Sequence, residues 1–167
     1  MTFNFRPLQQ SDFPQFATWL AQPHVQKWWP EEPTTAYVSE KYGARTRGDD
    51  PTAVYVVEAD MKPIGIIQSF VLADYPEYGN LFGHPSDFSI DYLIGEPDYV
   101  GRGVGTAMIK QFIQTIGRAN YPTATGVSTA PDIGNAASIR VLEKVGFKPG
   151  KIITGEHGPE QVMRLML

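Results

Sequence analysis

The stretch Ser89-Ile90-Asp91-Tyr92-Leu93-Ile94-Gly95-Glu96-Pro97-Asp98-Tyr99-Val100-Gly101-Arg102-Gly103-Val104-Gly105-Thr106 constrains the fold more than any other part of the chain. A strand pattern runs into a triple-glycine turn and then into a helix. Phe88, Ile90, Tyr92 and Ile94 alternate onto one face of an extended segment and send Ser89, Asp91 and Leu93 to the other. Beyond the glycines, Val104, Met108, Phe112 and Ile116, flanked by Ile109 and Ile113, mark one face of a helix. Gly101, Gly103 and Gly105 carry no β-carbons, so backbone N–H groups at a helix start can come close to a phosphate. A Walker loop requires Gly-x-x-x-x-Gly-Lys, which is absent. A dinucleotide fingerprint requires its third glycine one place later than Gly105. The spacing therefore describes a phosphate cradle of another kind, preceded by a carboxylate, Asp91.

Composition narrows the ligand. With 167 residues, 42% hydrophobic and 19% charged, residues 1–167 are expected to form a single domain with one sizeable core. The absence of cysteine removes disulfides, thiolate metal sites and a covalent Cys nucleophile together. His24, His84 and His157 are scattered without ligand spacing, so no metal is expected. A formal net charge of −4 argues against a nucleic-acid partner and suits a cationic small molecule, although the same balance also serves solubility. No apolar run is long enough to span a membrane, and Met1-Thr2-Phe3-Asn4-Phe5-Arg6-Pro7 lacks the layout of a signal peptide. The expectation is a cytoplasmic protein without a membrane partner, monomeric or homodimeric.

Local patterns give the order of elements. Thr2 to Arg6 reads as a strand, and Ser11-Asp12 as the cap of a helix carrying Phe13, Phe16, Ala17 and Leu20, which Pro23 stops. A second helix is expected over Thr34 to Arg45, then adjacent strands over Thr52 to Glu58 and Pro63 to Leu72 joined around Asp60-Met61-Lys62. Ala73 to Pro85 reads as a mobile loop. After the long helix come a short buried strand at Ala124 to Ser128, a helix from Asn135 to Val145 capped by Gly146, and a hairpin of Phe147 to Thr154 with Gln161 to Leu167. The class is α/β (α+β), with a mixed, mostly antiparallel sheet.

The order strand, Gly-Arg-Gly-Val-Gly-Thr, helix, strand, then Asn135 opening a helix that ends Leu142-Glu143-Lys144-Val145-Gly146-Phe147, resembles the GCN5-related N-acetyltransferase (GNAT) family over essentially the whole chain. Trp19-Leu20, Pro23-His24-Val25, Trp28-Trp29, Pro63-Ile64-Gly65 with Gln68-Ser69-Phe70, Ile90-Asp91 and Gly95-Glu96-Pro97 are similar to the aminoglycoside 6′-N-acetyltransferase branch. The resemblance implies the GNAT fold, a central sheet of about seven strands flanked by about four helices. It also implies acetyl-CoA as co-substrate, bound by Leu93 and Ile94 through their backbone, by Gly101, Arg102, Gly103, Val104, Gly105 and Thr106, and by Asn135 and Ser138. An aspartate at the position of Asp91 meets the amine in that branch, and the Trp-Trp pair shapes the antibiotic pocket. Two departures stand out. Leu142 occupies the place where many relatives carry a tyrosine that protonates the departing thiolate, and Ala130-Pro131 stands where that branch commonly has Asp-Pro.

Amine acetylation needs a neutral nitrogen, stabilisation of an oxyanion and a leaving thiolate. An alkylammonium has a pKa of roughly 8 to 10, so a carboxylate can hold the cation and take its proton. Asp91 is the candidate for orientation and general base, with backbone N–H groups near Leu93 and Ile94 as oxyanion donors. One of Trp28 and Trp29 is expected in the core. The exposed one, with Tyr75, Glu77, Tyr78 and Asp87, would form an acidic, aromatic wall for a polyamine sugar, and Asp132 would supply a further acidic contact. Asn135 either contacts the cofactor or caps its helix. Two alternatives stay open: acetylation of another small amine or hydroxylamine, such as a siderophore precursor, and a catalytically weak domain that binds the coenzyme or the drug.

Overall fold

The computed structural model describes residues 1–167. Seven strands, β1 (Phe3–Pro7), β2 (Ala53–Ala59), β3 (Lys62–Val71), β4 (Phe88–Ile94), β5 (Gly126–Thr129), β6 (Lys148–Gly155) and β7 (Gly158–Met166), form one sheet in the order β1-β2-β3-β4-β5-β7-β6. The helical segments are α1 (Phe13–Leu20), α2 (Pro23–Gln26), α3 (Thr35–Thr46), α4 (Pro76–Phe82), α5 (Val104–Phe112), α6 (Arg118–Asn120) and α7 (Ala136–Val145). Strand β4 runs parallel to β5, whereas β1 with β2, β5 with β7 and β6 with β7 are antiparallel. By contacts the chain falls into two compact units, Met1–Gln68 with Asp91–Val104 and Ser69–Ile90 with Gly105–Leu167.

In the first unit, Phe13, Phe16 and Leu20 of α1 pack with Val38 and Tyr42 of α3 onto Val54, Val56, Ile66 and Leu93 of the sheet. The 3.6-residue spacing that marked α1 in the sequence is the spacing of that contact. Asp12 precedes α1, but its carboxylate does not cap it. It is held by both terminal nitrogens of Arg6 at 2.8 and 2.9 Å and accepts the Gln9 N–H, closing a 3-10 turn one step earlier. Thr34 does cap α3, accepting from the Tyr37 N–H at 3.2 Å. Between β2 and β3, Asp60 and Met61 both take positive φ, 48° and 71°, a turn whose twist matches the flanking strands.

In the second unit, α5 passes through a π-helical turn, Ile113–Gly117, into α6. Gly117 lies against the ring of Phe88, where a β-carbon would come within 2.7 Å of Cζ, so this helix position has to be glycine. Asn135 caps α7 by accepting from the Ser138 N–H at 3.1 Å, and Gly146 ends it at φ 119°. The segment Ala73 to Pro85, expected as a mobile loop, instead contains a 3-10 turn at Leu72–Asp74 followed by α4. Pro76 opens α4 at a position that needs no N–H, and Gly83 closes it in the left-handed region, while Phe82 packs on Leu72, Ile153 and Val162. The prolines and glycines that looked like loop punctuation are the two ends of a short helix.

The face reading of β4 also needs correction. Ser89, Ile90 and Leu93 are all buried, so the alternation does not separate a core face from a solvent face. Strand β4 is the fourth of seven, and a central strand covered on both sides has no polar face to display.

Asp87, expected in an exposed acidic wall, is fully buried at the start of β4. Its Oδ2 accepts from Ser128 Oγ at 2.6 Å and Arg164 Nε at 2.8 Å, and its Oδ1 from Arg164 Nη2 at 3.0 Å. The carboxylate thereby ties the entry of β4 to β5 and β7. Gly126 makes room for it: a β-carbon there would lie 2.9 Å from both carboxylate oxygens. The Arg164 guanidinium and the Ser128 hydroxyl outweigh desolvation and hold the Asp87 carboxyl below the usual carboxylate range. A depressed folded-state pKa contributes stability that is present above the unfolded pKa and is lost as pH falls through the folded value. Asp87→Asn is expected to cost about 3 to 5 kcal/mol at neutral pH, because it leaves Arg164 without its counter-charge. In urea unfolding at a series of pH values, the two proteins should converge as the solution is acidified; a constant gap down to low pH would refute this account of Asp87.

Candidate active site

Asp91 lies on β4, half-buried, four positions after Asp87. Its Oδ2 accepts from Gln68 Nε2 at 3.1 Å, and its Oδ1 has no partner in the protein. Gln68, on β3 and almost fully buried, accepts in turn from Arg45 Nη1 of α3 at 2.8 Å. The Arg45 guanidinium lies 5.1 Å from the ring centre of Tyr42 and 3.7 Å from the Asp50 carboxylate. The Tyr42 hydroxyl donates to Glu31 at 2.7 Å, and the second Glu31 oxygen is paired with Lys41. Burial beside Glu31 pushes the Tyr42 phenol well above its ordinary value. Desolvation also raises the Asp91 carboxyl, opposed by the Gln68 amide and by the charges of Arg45 and Lys41.

Sequence reading found Asp91 but not the groups around it. Lys41 and Arg45 are four apart on α3, so they share a helix face, and that spacing was the available signal. Nothing local tied that face to Gln68 or Asp91, each 23 positions from its hydrogen-bond partner.

The backbone of β4 beyond Asp91 is set by glycine. A β-carbon on Gly65 would fall 2.1 Å from the Leu93 carbonyl oxygen, so only glycine lets β3 approach β4 there. The Leu93 carbonyl therefore faces the Gly65 backbone of β3, and its side chain lies in the core. The Ile94 carbonyl is within 2.8 Å of His24 Nε2 from α2, which anchors this end of the strand. Gly95 then packs so tightly on Trp19 that a β-carbon would reach 2.0 Å from the indole, and the Trp19 N–H donates to Glu96 at 2.9 Å.

Past this anchor comes the glycine turn. Gly101 and Gly103 sit at φ 76° and 75°, and a β-carbon on either would meet open space. Backbone conformation, rather than crowding, requires glycine at both. Arg102 is exposed between them, the Val104 side chain is buried, and Gly105 and Thr106 belong to the first turn of α5. Asn135 spends its Oδ1 on the Ser138 N–H. Asp132 accepts from the Gly134 N–H at 2.7 Å, so one of its oxygens serves a local turn.

The remaining candidates fall into two groups. Trp28 is exposed, with Lys27 Nζ 4.9 Å from the ring centre, whereas Trp29 packs on the α1–α3 core. Glu77 and Tyr78 lie on α4, where with Leu81 and with Thr154, Gly155 and Glu156 of the β6–β7 hairpin they line an open groove of about 350 Å³. Tyr75 stacks edge-on with Phe70 at 4.8 Å. Leu142 is fully buried in α7, and Ala130 packs against the Leu72–Phe82 cluster.

A half-buried carboxylate with a free oxygen, a strand edge past it and a glycine turn opening a helix are the parts an acyl transfer from a phosphate-bearing carrier requires. A family model for the acetyltransferase (GNAT) domain matches residues 9–154. The chain belongs to the GNAT acetyltransferases. Aminoglycoside N(6′)-acetyltransferase type 1 of Klebsiella pneumoniae is 28% identical over 162 residues, 95% of this chain and 80% of that protein. The crystal structure of the aminoglycoside acetyltransferase AAC(6′)-Ib with coenzyme A and kanamycin superposes with a TM-score of 0.86 at 26% identity, covering 99% of this chain and 95% of that one. Its complex with paromomycin and acetyl-CoA gives 0.87 at 26% identity, covering 99% and 94%. The seven-stranded mixed sheet with four helices of eight or more residues is the GNAT fold. No helix is long and apolar enough to cross a membrane.

The raised Asp91 carboxyl makes a prediction independent of activity. A folded-state pKa above the unfolded one means that ionising Asp91 costs stability, a cost absent below the unfolded pKa and complete above the folded one. Asp91→Asn should therefore unfold at a temperature equal to or above that of the parent at pH 8, with the difference vanishing in acid. A melting point markedly below the parent at pH 8 would show that the carboxylate serves the fold.

Proposed function

We propose that the chain transfers the acetyl group of acetyl-CoA to a primary amine of a cationic small molecule, the 6′-amine of an aminoglycoside, by direct transfer in a ternary complex. The observation that carries this reading is the unpartnered Oδ1 of Asp91, a carboxylate oxygen held half-buried and ready to accept from an ammonium. Similarity to the Klebsiella pneumoniae enzyme and to AAC(6′)-Ib supports the substrate class. Residues 1–167 act as one cytoplasmic acetyltransferase domain, with no metal in the chemistry and a monomer or homodimer as the working form.

Acetyl-CoA supplies an activated acyl group in the form of a thioester. Asp91 Oδ1 receives the substrate ammonium, orients it, and accepts its proton as the nitrogen forms the new C–N bond and the C–S bond breaks. A carboxyl whose pKa is raised by burial is a better base near neutral pH than an exposed one. Backbone N–H groups near Leu93 and Ile94 serve as oxyanion donors, a contact typically worth about 3 kcal/mol of barrier. The open turn at Gly101–Gly103, with Arg102 exposed in it and Val104, Gly105 and Thr106 following, fits a pyrophosphate; Asn135 and Ser138, at the start of α7, are the candidate coenzyme contacts of the second unit. Within the first unit, Trp28 is proposed as a substrate contact beside Asp91, with Trp29 in the core behind it; within the second, Glu77, Tyr78 and Asp132 are the candidate substrate contacts. The thiolate, with a pKa near 8.5, leaves without a protein acid at Leu142.

Thiol release from acetyl-CoA in the presence of kanamycin tests this, and the cysteine-free chain adds no background. Release is expected with the parent and is expected to fall by about 10² to 10⁴ in Asp91→Asn. Undiminished release in that variant would overturn the role of Asp91. Turnover of other amines with none of any aminoglycoside would overturn the substrate, and tight coenzyme binding without turnover on any amine would identify a binding protein.

A further inference from the structure

We infer that Arg45 is a positioning residue for Asp91, acting through the amide of Gln68. The inference rests on the reading of Asp91 as the base. Gln68 lies between a group that only donates, the Arg45 guanidinium, and a group that only accepts, the Asp91 carboxylate. A free carboxamide can turn over and exchange its oxygen for its nitrogen. This one cannot, because the turned amide would face N–H against N–H at Arg45 and oxygen against carboxylate at Asp91. With the amide fixed as a donor toward Asp91, one carboxylate oxygen is held by Gln68 and the other is left for substrate.

The arrangement is built rather than incidental. Gln68 is only 8% exposed, so neither of its bonds is readily replaced by water. Arg45 lies between the Asp50 carboxylate, 3.7 Å from its Nε, and the Tyr42 ring. The groups that face Asp91 are Gln68 from β3, Arg45 and Lys41 from α3, and Glu31 from the segment before α3. Of these, Gln68 is the one that touches the carboxylate, and it carries the pull of Arg45 to a definite oxygen. Without the relay the carboxylate would be more basic and free to rotate, holding protons it should release and presenting either oxygen to the amine.

Gln68→Met keeps the shape of the side chain and removes both bonds; Arg45→Met removes the cation and leaves Gln68 free to turn over; Arg45→Lys restores charge without the planar fork. The direct readout is the titration of the Asp91 side-chain carboxyl by ¹³C NMR in the whole protein, its resonance assigned by its absence in Asp91→Asn. The expected midpoint rises by about one pH unit or more in Gln68→Met, and by less in Arg45→Met, with partial return in Arg45→Lys. The acid limb of kcat/KM should move with it, whereas a purely structural loss lowers the whole profile without shifting the limb. A midpoint unchanged in both methionine variants overturns the inference. A midpoint that moves while the limb stays put leaves the relay standing and removes Asp91 as the base. The two arginine variants carry the test alone if Gln68→Met does not fold.

Discussion

The buried carboxylate of Asp87 is the constraint on which the geometry of the central strand depends. Strands β4 and β5 are paired in register only at Phe88 with Val127 and Ser89 with Ser128, a short ladder for two parallel strands. Side chains supply what the main chain lacks. Arg164 clasps Asp87 through two nitrogens, Ser128 adds a third donor, and one residue further along Thr129 Oγ1 donates to the Ile90 carbonyl at 2.8 Å. A charge so deeply buried is tolerable only because its partners are fixed by strands on the same sheet. The absence of a β-carbon at Gly126 is as much a part of this arrangement as the charges. Beyond Ile90 the strand is released from that clasp, and the candidate base, Asp91, follows at once.

Two aspartates on one strand therefore have opposite fates, and the difference is in what donates to them. Asp87 has a guanidinium in contact, and its carboxyl is pulled below the ordinary range; Asp91 has a neutral amide in contact and its cations at one remove, and burial wins, pushing its carboxyl up. Environments that drive like groups apart in pKa let one fold give one of them to structure and the other, as proposed for Asp91, to proton transfer. The proposed relay through Gln68 keeps that division from going too far. A direct Arg45–Asp91 pair would hold the carboxylate as firmly as Arg164 holds Asp87 and leave it a poor base. An interposed amide passes on only part of the cation's pull while fixing which oxygen is free.

Elements whose causes are local were legible in the sequence. The helix start at Thr34, the Asn135 cap, the left-handed end at Gly146, the Asp60-Met61 turn and the stripe of α1 each depend on residues a few positions apart. What escaped was mostly pairing over distance. Asp87 and Arg164 are 77 positions apart, and an aspartate after Pro85-Ser86 looks like any solvated loop residue until its partners close on it. Helix α4 escaped for a different reason: Pro76, Gly79 and Gly83 are breakers by propensity, and only the burial of Gly79 against the Leu72 carbonyl and of Phe82 on Leu72 makes helix the better solution. At the candidate site, Asp91 and the glycine turn were visible through short motifs, whereas Arg45, Tyr42, Glu31 and Lys41 became visible only with the fold. Sequence motifs record what touches a ligand more readily than what aligns the residue that does.

Leu142 and Ala130 bear on where the proposed reaction spends its catalytic effort. Both are taken up by packing, Leu142 fully buried in α7 and Ala130 against Leu72, Phe82, Ile153 and Val162, so neither position offers a polar group. A thiolate can depart unaided far more readily than an ammonium can attack, since the amine is the wrong species until its proton is gone. A site lacking an acid at the sulfur end loses comparatively little, provided the amine end is controlled. Control of that end is what the interior of the first unit is arranged to give: a carboxylate with one oxygen bonded and one open, an amide that cannot turn over, and an arginine stacked and paired so that it holds the amide in place. In the proposed reaction, proton handling is then concentrated on the amine side of the acyl group, where Asp91 and the side chains that set it lie.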